Sequence, residues 1–184
     1  MGDAMNPEMI RSMFVGLDEH DLPIGASFVG ESGDAAVPFF CESQPFIALY
    51  RPVMLDDEIY QAARASVWTD AEHEISQNAY MMKFASVAQW CDGNHFAPLR
   101  ALPSVSFKIH RSIPHRLAKA TEGFLNEVPH ADELYFIPGG HTERRTERLN
   151  LWYSRVSDTI AVEQLGLRPI HPISGNQWYG YRKA

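Results

Sequence analysis

Residues Ser104–Leu125 read SVSFKIHRSIPHRLAKATEGFL, and the periodicity changes halfway. Val105, Phe107 and Ile109 alternate with Ser104, Ser106, Lys108 and His110, the two-residue repeat of a strand with one apolar face. From Pro114 a helical repeat takes over, with Leu117, Ala120, Phe124, Leu125 and Val128 on one side and Pro129 as the stop. Proline suits a first helical turn, where its missing N–H is not needed. The stretch therefore predicts a strand running straight into a helix. Such a corner holds anions through free amides and the partial positive charge of the helix start. Here the turn carries Arg111, Ser112, Pro114 and His115 in place of glycines, so Arg111, His115 and Arg116 become candidate side-chain contacts to phosphate. The alternative is a plain helix cap by Ser112 with surface charges around it.

Downstream, ELYFIP (Glu133–Pro138) predicts a second strand. Thr142–Leu165 predicts a helix with Leu149, Trp152, Tyr153, Val156 and Ile160 in one stripe, closed by Gly166. RPIHPI, SGN and QWYGYR then read as strand, tight turn and strand. Upstream, Cys91–Pro103 is loop, broken by Asp-Gly-Asn and two prolines. Asp56–Val67 predicts one helix. Thr69 and Glu72 resemble a capping box that opens a second, with Ile75, Ala79, Met82, Ser86 and Trp90 in register. The first fifty residues are rich in short apolar runs, Met13–Leu17, Ile24–Val29, VPFFC and FIALY, expected as strands, with GESGDA as a turn.

Composition bounds the rest. A chain of 184 residues with 45% hydrophobic content has the material for one sizeable core, so residues 1–184 are expected to form a single domain. The fold class expected is α/β in the wider α+β sense: a mixed, mainly antiparallel sheet flanked by helices. A formal net charge of -7 disfavours a nucleic-acid binder, which needs a basic excess to release counterions. No stretch approaches the ~18 apolar residues of a membrane span, and no secretory leader is evident, so the expectation is a cytoplasmic protein with no membrane partner. Cys41 and Cys91 stand alone, without thiolate metal spacing. His110 and His115 lack a third ligand at a fixed offset, so no metal is expected.

From Ser104 to Arg182 the predicted order is strand, helix, strand, helix, strand, strand. In this order SVSFKIH, RSIPHRLAKATEGFLNEV, DELYFIP, RLNLWYSRV with EQLGLRPI, and QWYGYRK resemble the C-terminal half of the GNAT superfamily of acyl-CoA-dependent N-acyltransferases. The resemblance implies acetyl-CoA or another acyl-CoA as cofactor and a small-molecule or peptide amine as acceptor. It implies phosphate contacts along Ile109, Arg111, Ser112, His115, Arg116 and Leu117. Family members write this turn with two glycines, both absent here. Tyr153 corresponds to a tyrosine that protonates the departing thiolate, and His110 is the candidate base. Leu165-Gly166-Leu167 comes later than in the family, and the bland alternative puts Tyr153 in the core stripe. The rival function is a catalytically silent GNAT-like module, with Trp178, Tyr179, Tyr181 and Arg182 as an anchor for a protein partner or a second copy of the chain.

Overall fold

AAVPFFC and QPFIALYRP are apolar at consecutive positions and separated only by Glu42 and Ser43. Runs of that kind fold back on each other as strands covered on both faces. The computed structural model describes residues 7–55, 61, 73–91, 107–136, 159–170 and 179–184, and the two runs are its strands β2 (Ala35–Cys41) and β3 (Gln44–Pro52). Glu42 takes φ 53° in the reversal between them. The other strands are β1 (Phe28–Val29), β4 (Ala79–Ser86), β5 (Glu133–Phe136), β6 (Arg168–Pro169) and β7 (Tyr179–Arg182). They form a mixed, mostly antiparallel sheet of seven strands in the order β1-β2-β3-β4-β5-β7-β6. With helices α1 (Pro7–Ser12), α2 (Val87–Cys91) and α3 (Phe107–Glu127), the class is α+β. None of the described helices is long and apolar enough to cross a membrane.

The chain divides into two compact units, Met1–Leu49 with Phe84–Glu127 and Tyr50–Lys83 with Val128–Ala184. In the first, β2 is the central layer. Ala36 and Ile47 are buried with Ile10 and Met13, next to Val87 and Trp90 of α2, while the rings of Phe14 and Phe40 meet edge-on at 5.4 Å. On the opposite face, Phe39 stacks on Phe46 at 5.7 Å, and Cys41 meets Ser112 of α3. Alternation along β2 thus sends even-numbered side chains toward α1 and odd-numbered ones toward α3. Gly25 is required beside this strand: a Cβ there would come within 2.8 Å of the Pro38 ring.

In the second unit β5 is the central strand and all four of its residues are buried. It pairs in parallel with β4, from Ala79↔Glu133 to Met82↔Phe136, and antiparallel with β7, from Glu133↔Arg182 to Phe136↔Tyr179. Leu134 and Phe136 share one face, where the rings of Phe136 and Tyr181 meet edge-on at 5.9 Å. Glu133 and Tyr135 share the other. The short π-type helix Thr159–Gln164 ends at Gly166, whose φ of 65° lets the Leu167 amide return to the Ala161 carbonyl at 2.8 Å.

Three expectations are corrected. Residues 107–110, read as the end of a strand, are the first turn of α3, and Pro114 lies inside that helix. Ile109, Ile113, Leu117, Ala120 and Phe124 are all buried, so the four-residue spacing that begins at Ile109 overrides the apparent alternation. The helix expected to open at Thr69 and run through Trp90 is not formed over its described part: residues 73–78 are irregular and are followed by strand β4 and then α2. AYMMKFAS is apolar at consecutive positions, a pattern that a covered strand and a buried helix share, and parallel pairing with β5 decides between them. Met13–Leu17 is a turn following α1, with the Met13 amide bonded to the Met9 carbonyl at 3.2 Å. Most of the helix expected over Asp56–Val67, residue 61 apart, and most of that over Thr142–Leu165 lie outside the described residues.

Nothing stands within 4 Å of a Cβ built on Gly166, so a substitution there isolates the backbone cost. Gly166→Ala should lower unfolding free energy by about 1 kcal/mol and Gly166→Asn by less, measured by urea denaturation.

Candidate functional site

Helix α3 carries the residues that the sequence pattern assigns to phosphate. An α-helical amide bonds the carbonyl four residues back, so from Arg111 onward the amides of this segment are engaged by Phe107 and its successors. Pro114 has no amide to give and leaves the His110 carbonyl without its helical partner. The expected cradle of free backbone donors over Arg111–Leu117 is therefore absent. Ile109 and Leu117 are each 3% exposed and face the core. The Ser112 hydroxyl, expected as a cap, donates back to the Ile109 carbonyl at 3.1 Å. Arg111 and His115 are exposed one turn apart, and Arg116 is half-buried. His110 is helical in its backbone, and Tyr153 and Trp178 lie outside the described residues.

Arg116 and Ser112 converge on Cys41 rather than on open solvent. Burial pushes the Cys41 thiol up to about 11, against the Ser112 hydrogen bond and the Arg116 charge, which both favour thiolate. This is a thiol of the core, not a nucleophile.

A denser polar cluster occupies the amino-terminal ends of β4 and β5, and the sequence pattern does not reveal it. Glu133 opens β5 and is 5% exposed. One of its oxygens, Oε1, meets His73 Nε2 at 2.6 Å. The other, Oε2, accepts from the Ser76 amide at 2.9 Å and from the Tyr135 hydroxyl at 2.9 Å. A buried carboxylate left unpaired is costly, and these donors meet that cost. Burial, followed by the charge and hydrogen bond of Glu133, drives Tyr135 far above the ordinary phenol range. Tyr135 therefore stays a hydroxyl donor at any physiological pH.

A second layer of bonds fastens the segment before β4. The Ser76 hydroxyl donates to Asp132 Oδ2 at 2.8 Å, and the Asp132 amide donates to the Asn78 carbonyl at 3.3 Å. Close by, the Tyr80 hydroxyl meets His130 Nε2 at 3.3 Å. Among the described residues no group of three or more His, Cys, Asp or Glu side chains is arranged to hold a metal ion. Within the strand, Glu133 and Tyr135 sit two apart and so share a face, the one feature of the cluster that is local in sequence. Their partners are 57 to 60 residues away along the chain and left no pattern.

Comparison of the chain with protein-family models, with curated proteins and with solved structures gives no match.

At pH 8 a thiol near 11 is about one part in a thousand thiolate. Native protein treated with iodoacetamide should therefore be alkylated at half-buried Cys91 well before Cys41, with equal labelling in urea; peptide mass mapping reads the order. Tyr135→Phe removes one of the three bonds to Glu133 and should cost about 1–3 kcal/mol at pH 7. Because the folded phenol sits above its unfolded value, wild-type stability is complete below pH 10 and falls above it. That alkaline loss should shrink in the Phe variant, as read by urea denaturation at pH 9 to 11.

Proposed function

We propose that the chain is a GNAT-like, acyl-CoA-dependent N-acyltransferase that moves an acyl group from a CoA thioester to a small-molecule or peptide amine. The observation that carries this reading is the chain order around the parallel pair β4 and β5. Strand β4 is followed by the two helices α2 and α3, strand β5, the π-type helix and the closing strands β6 and β7, so that with the short α2 set aside the order is strand, helix, strand, helix, strand, strand. That is the order on which the resemblance rests, with Ala79–Ser86 rather than Ser104–His110 as its first strand.

With the amides of Arg111–Leu117 engaged in the helix, phosphate recognition falls to charged side chains. Arg111 and His115 are the exposed pair on α3. Tyr153 is the proposed acid for the departing thiolate. The engaged amides also favour a second reading, a catalytically silent GNAT-like module that works through a protein partner or a second copy of the chain.

Coenzyme A separates the two. An acyltransferase should be stabilised by about 2.7 kcal/mol at a hundredfold excess over Kd, seen as a rise in melting temperature. Arg111→Ala with His115→Ala should abolish that rise while leaving the unliganded melting temperature within a degree or two. No rise at millimolar acetyl-CoA would discard the enzyme and leave the silent module.

A further inference from the structure

We propose that Lys119 recognises the 3′-phosphate of coenzyme A and so makes the chain prefer this cofactor to its dephospho form, a specificity that rests on the acyl-CoA reading. Its basis is a ridge on α3. Arg111, His115 and Lys119 follow one another at four-residue intervals along the helix, and all three are exposed. Each step rises about 6 Å, so the ridge is about 12 Å long. It is turned away from the buried stripe of Ile109, Ile113, Leu117 and Phe124.

Charge along this stretch is one-sided. From Phe107 to Thr121 the sequence contains Lys108, Arg111, Arg116 and Lys119 and neither Asp nor Glu, in a chain whose net charge is -7. Acids placed three or four residues from a cation are what stabilise an exposed helix face. Around Arg111 and His115 those positions hold Phe107, Lys108, Ser112, Pro114, Ala118 and Lys119. An anionic ligand supplies what the helix leaves out.

Lys119 does have an acid in reach, since its Nζ meets Glu122 Oε2 at 2.7 Å. Both side chains are about half exposed, at 52% and 50%, and a pair so open to water is held weakly. Lys119 therefore exchanges Glu122 for a phosphate at little cost. Coenzyme A carries a diphosphate on the 5′ carbon of its ribose and a monophosphate on the 3′ carbon. The planar fork of Arg111 suits the diphosphate, with His115 beside it, and the compact ammonium of Lys119, one turn further on, suits the terminal monophosphate. The three residues belong to one helix of one compact unit, so their spacing depends on no other part of the chain.

The test is calorimetric titration of the full chain with coenzyme A and with dephospho-coenzyme A. Wild-type protein should bind coenzyme A about five-fold more tightly, and the ratio should shrink at high salt. Lys119→Gln should bring the two affinities together without changing that for the dephospho form, Lys119→Arg should keep the preference, and Glu122→Gln should widen it. Equal wild-type affinities overturn the assignment and leave the acyl-CoA reading standing, and this comparison needs no variant to fold. A preference that survives Lys119→Gln overturns it equally. Binding of neither ligand by the wild type overturns the acyl-CoA reading itself, and the role of Lys119 with it.

Discussion

A carboxylate shut away from water has to be met by donors, and Glu133 organises the second unit around that requirement. Its position at the start of β5 fixes which donors can reach it. One comes from its own strand, Tyr135, two residues on and on the same face. The others come from the segment that leads into β4, through His73 and the Ser76 amide. Placing those donors sets the start of β4 beside the start of β5, which is the parallel register observed from Ala79 to Met82. A polar constraint and a strand alignment are thus two aspects of one arrangement: the donors that offset the cost of burying the carboxylate are the ones that the parallel register brings to it.

Helix α3 works under a different constraint. Its 21 residues span about 31 Å and commit the amides after the first turn to the helix itself. What this segment retains for a ligand is the side chains of Arg111 and His115, while Ser112 bonds Cys41 and the Arg116 charge acts on it. An anion would be recognised here by exposed side chains rather than by a rigid nest of backbone donors. That implies weaker preorganisation and stronger sensitivity to salt.

Much of the fold was legible where the local pattern had one physical solution. VPFFC and FIALY separated by a short polar gap read correctly as β2 and β3, ELYF as β5, YGYR as β7, and Gly166 as a helix stop. The failures share a cause. AYMMKFAS is covered on both faces, so its burial lacks the alternation that marks a strand, and its methionines and alanines suit a helix equally well. SFKIH contains a two-residue alternation and, from Ile109, a four-residue one; only the packing of α3 on β2 selects between them. Of the candidate residues, Arg111, Ser112, His115 and Arg116 were identified as polar members of one segment. Their loss of a backbone cradle follows from the helix beginning a turn earlier than Pro114 indicates. The Glu133 cluster was illegible because proximity in it is created by topology, not by spacing.

Among the described residues both outermost strands of the sheet are two residues long, Phe28–Val29 and Arg168–Pro169. So brief a margin presents few unpaired backbone groups, and Pro169 supplies no donor at all. Phe28 and Val29 are about half exposed, at 45% and 51%, an apolar pair that on a longer, straighter margin would invite strand-to-strand stacking between molecules. Brevity at the rim therefore protects a chain with so apolar a sheet from fibrous self-association.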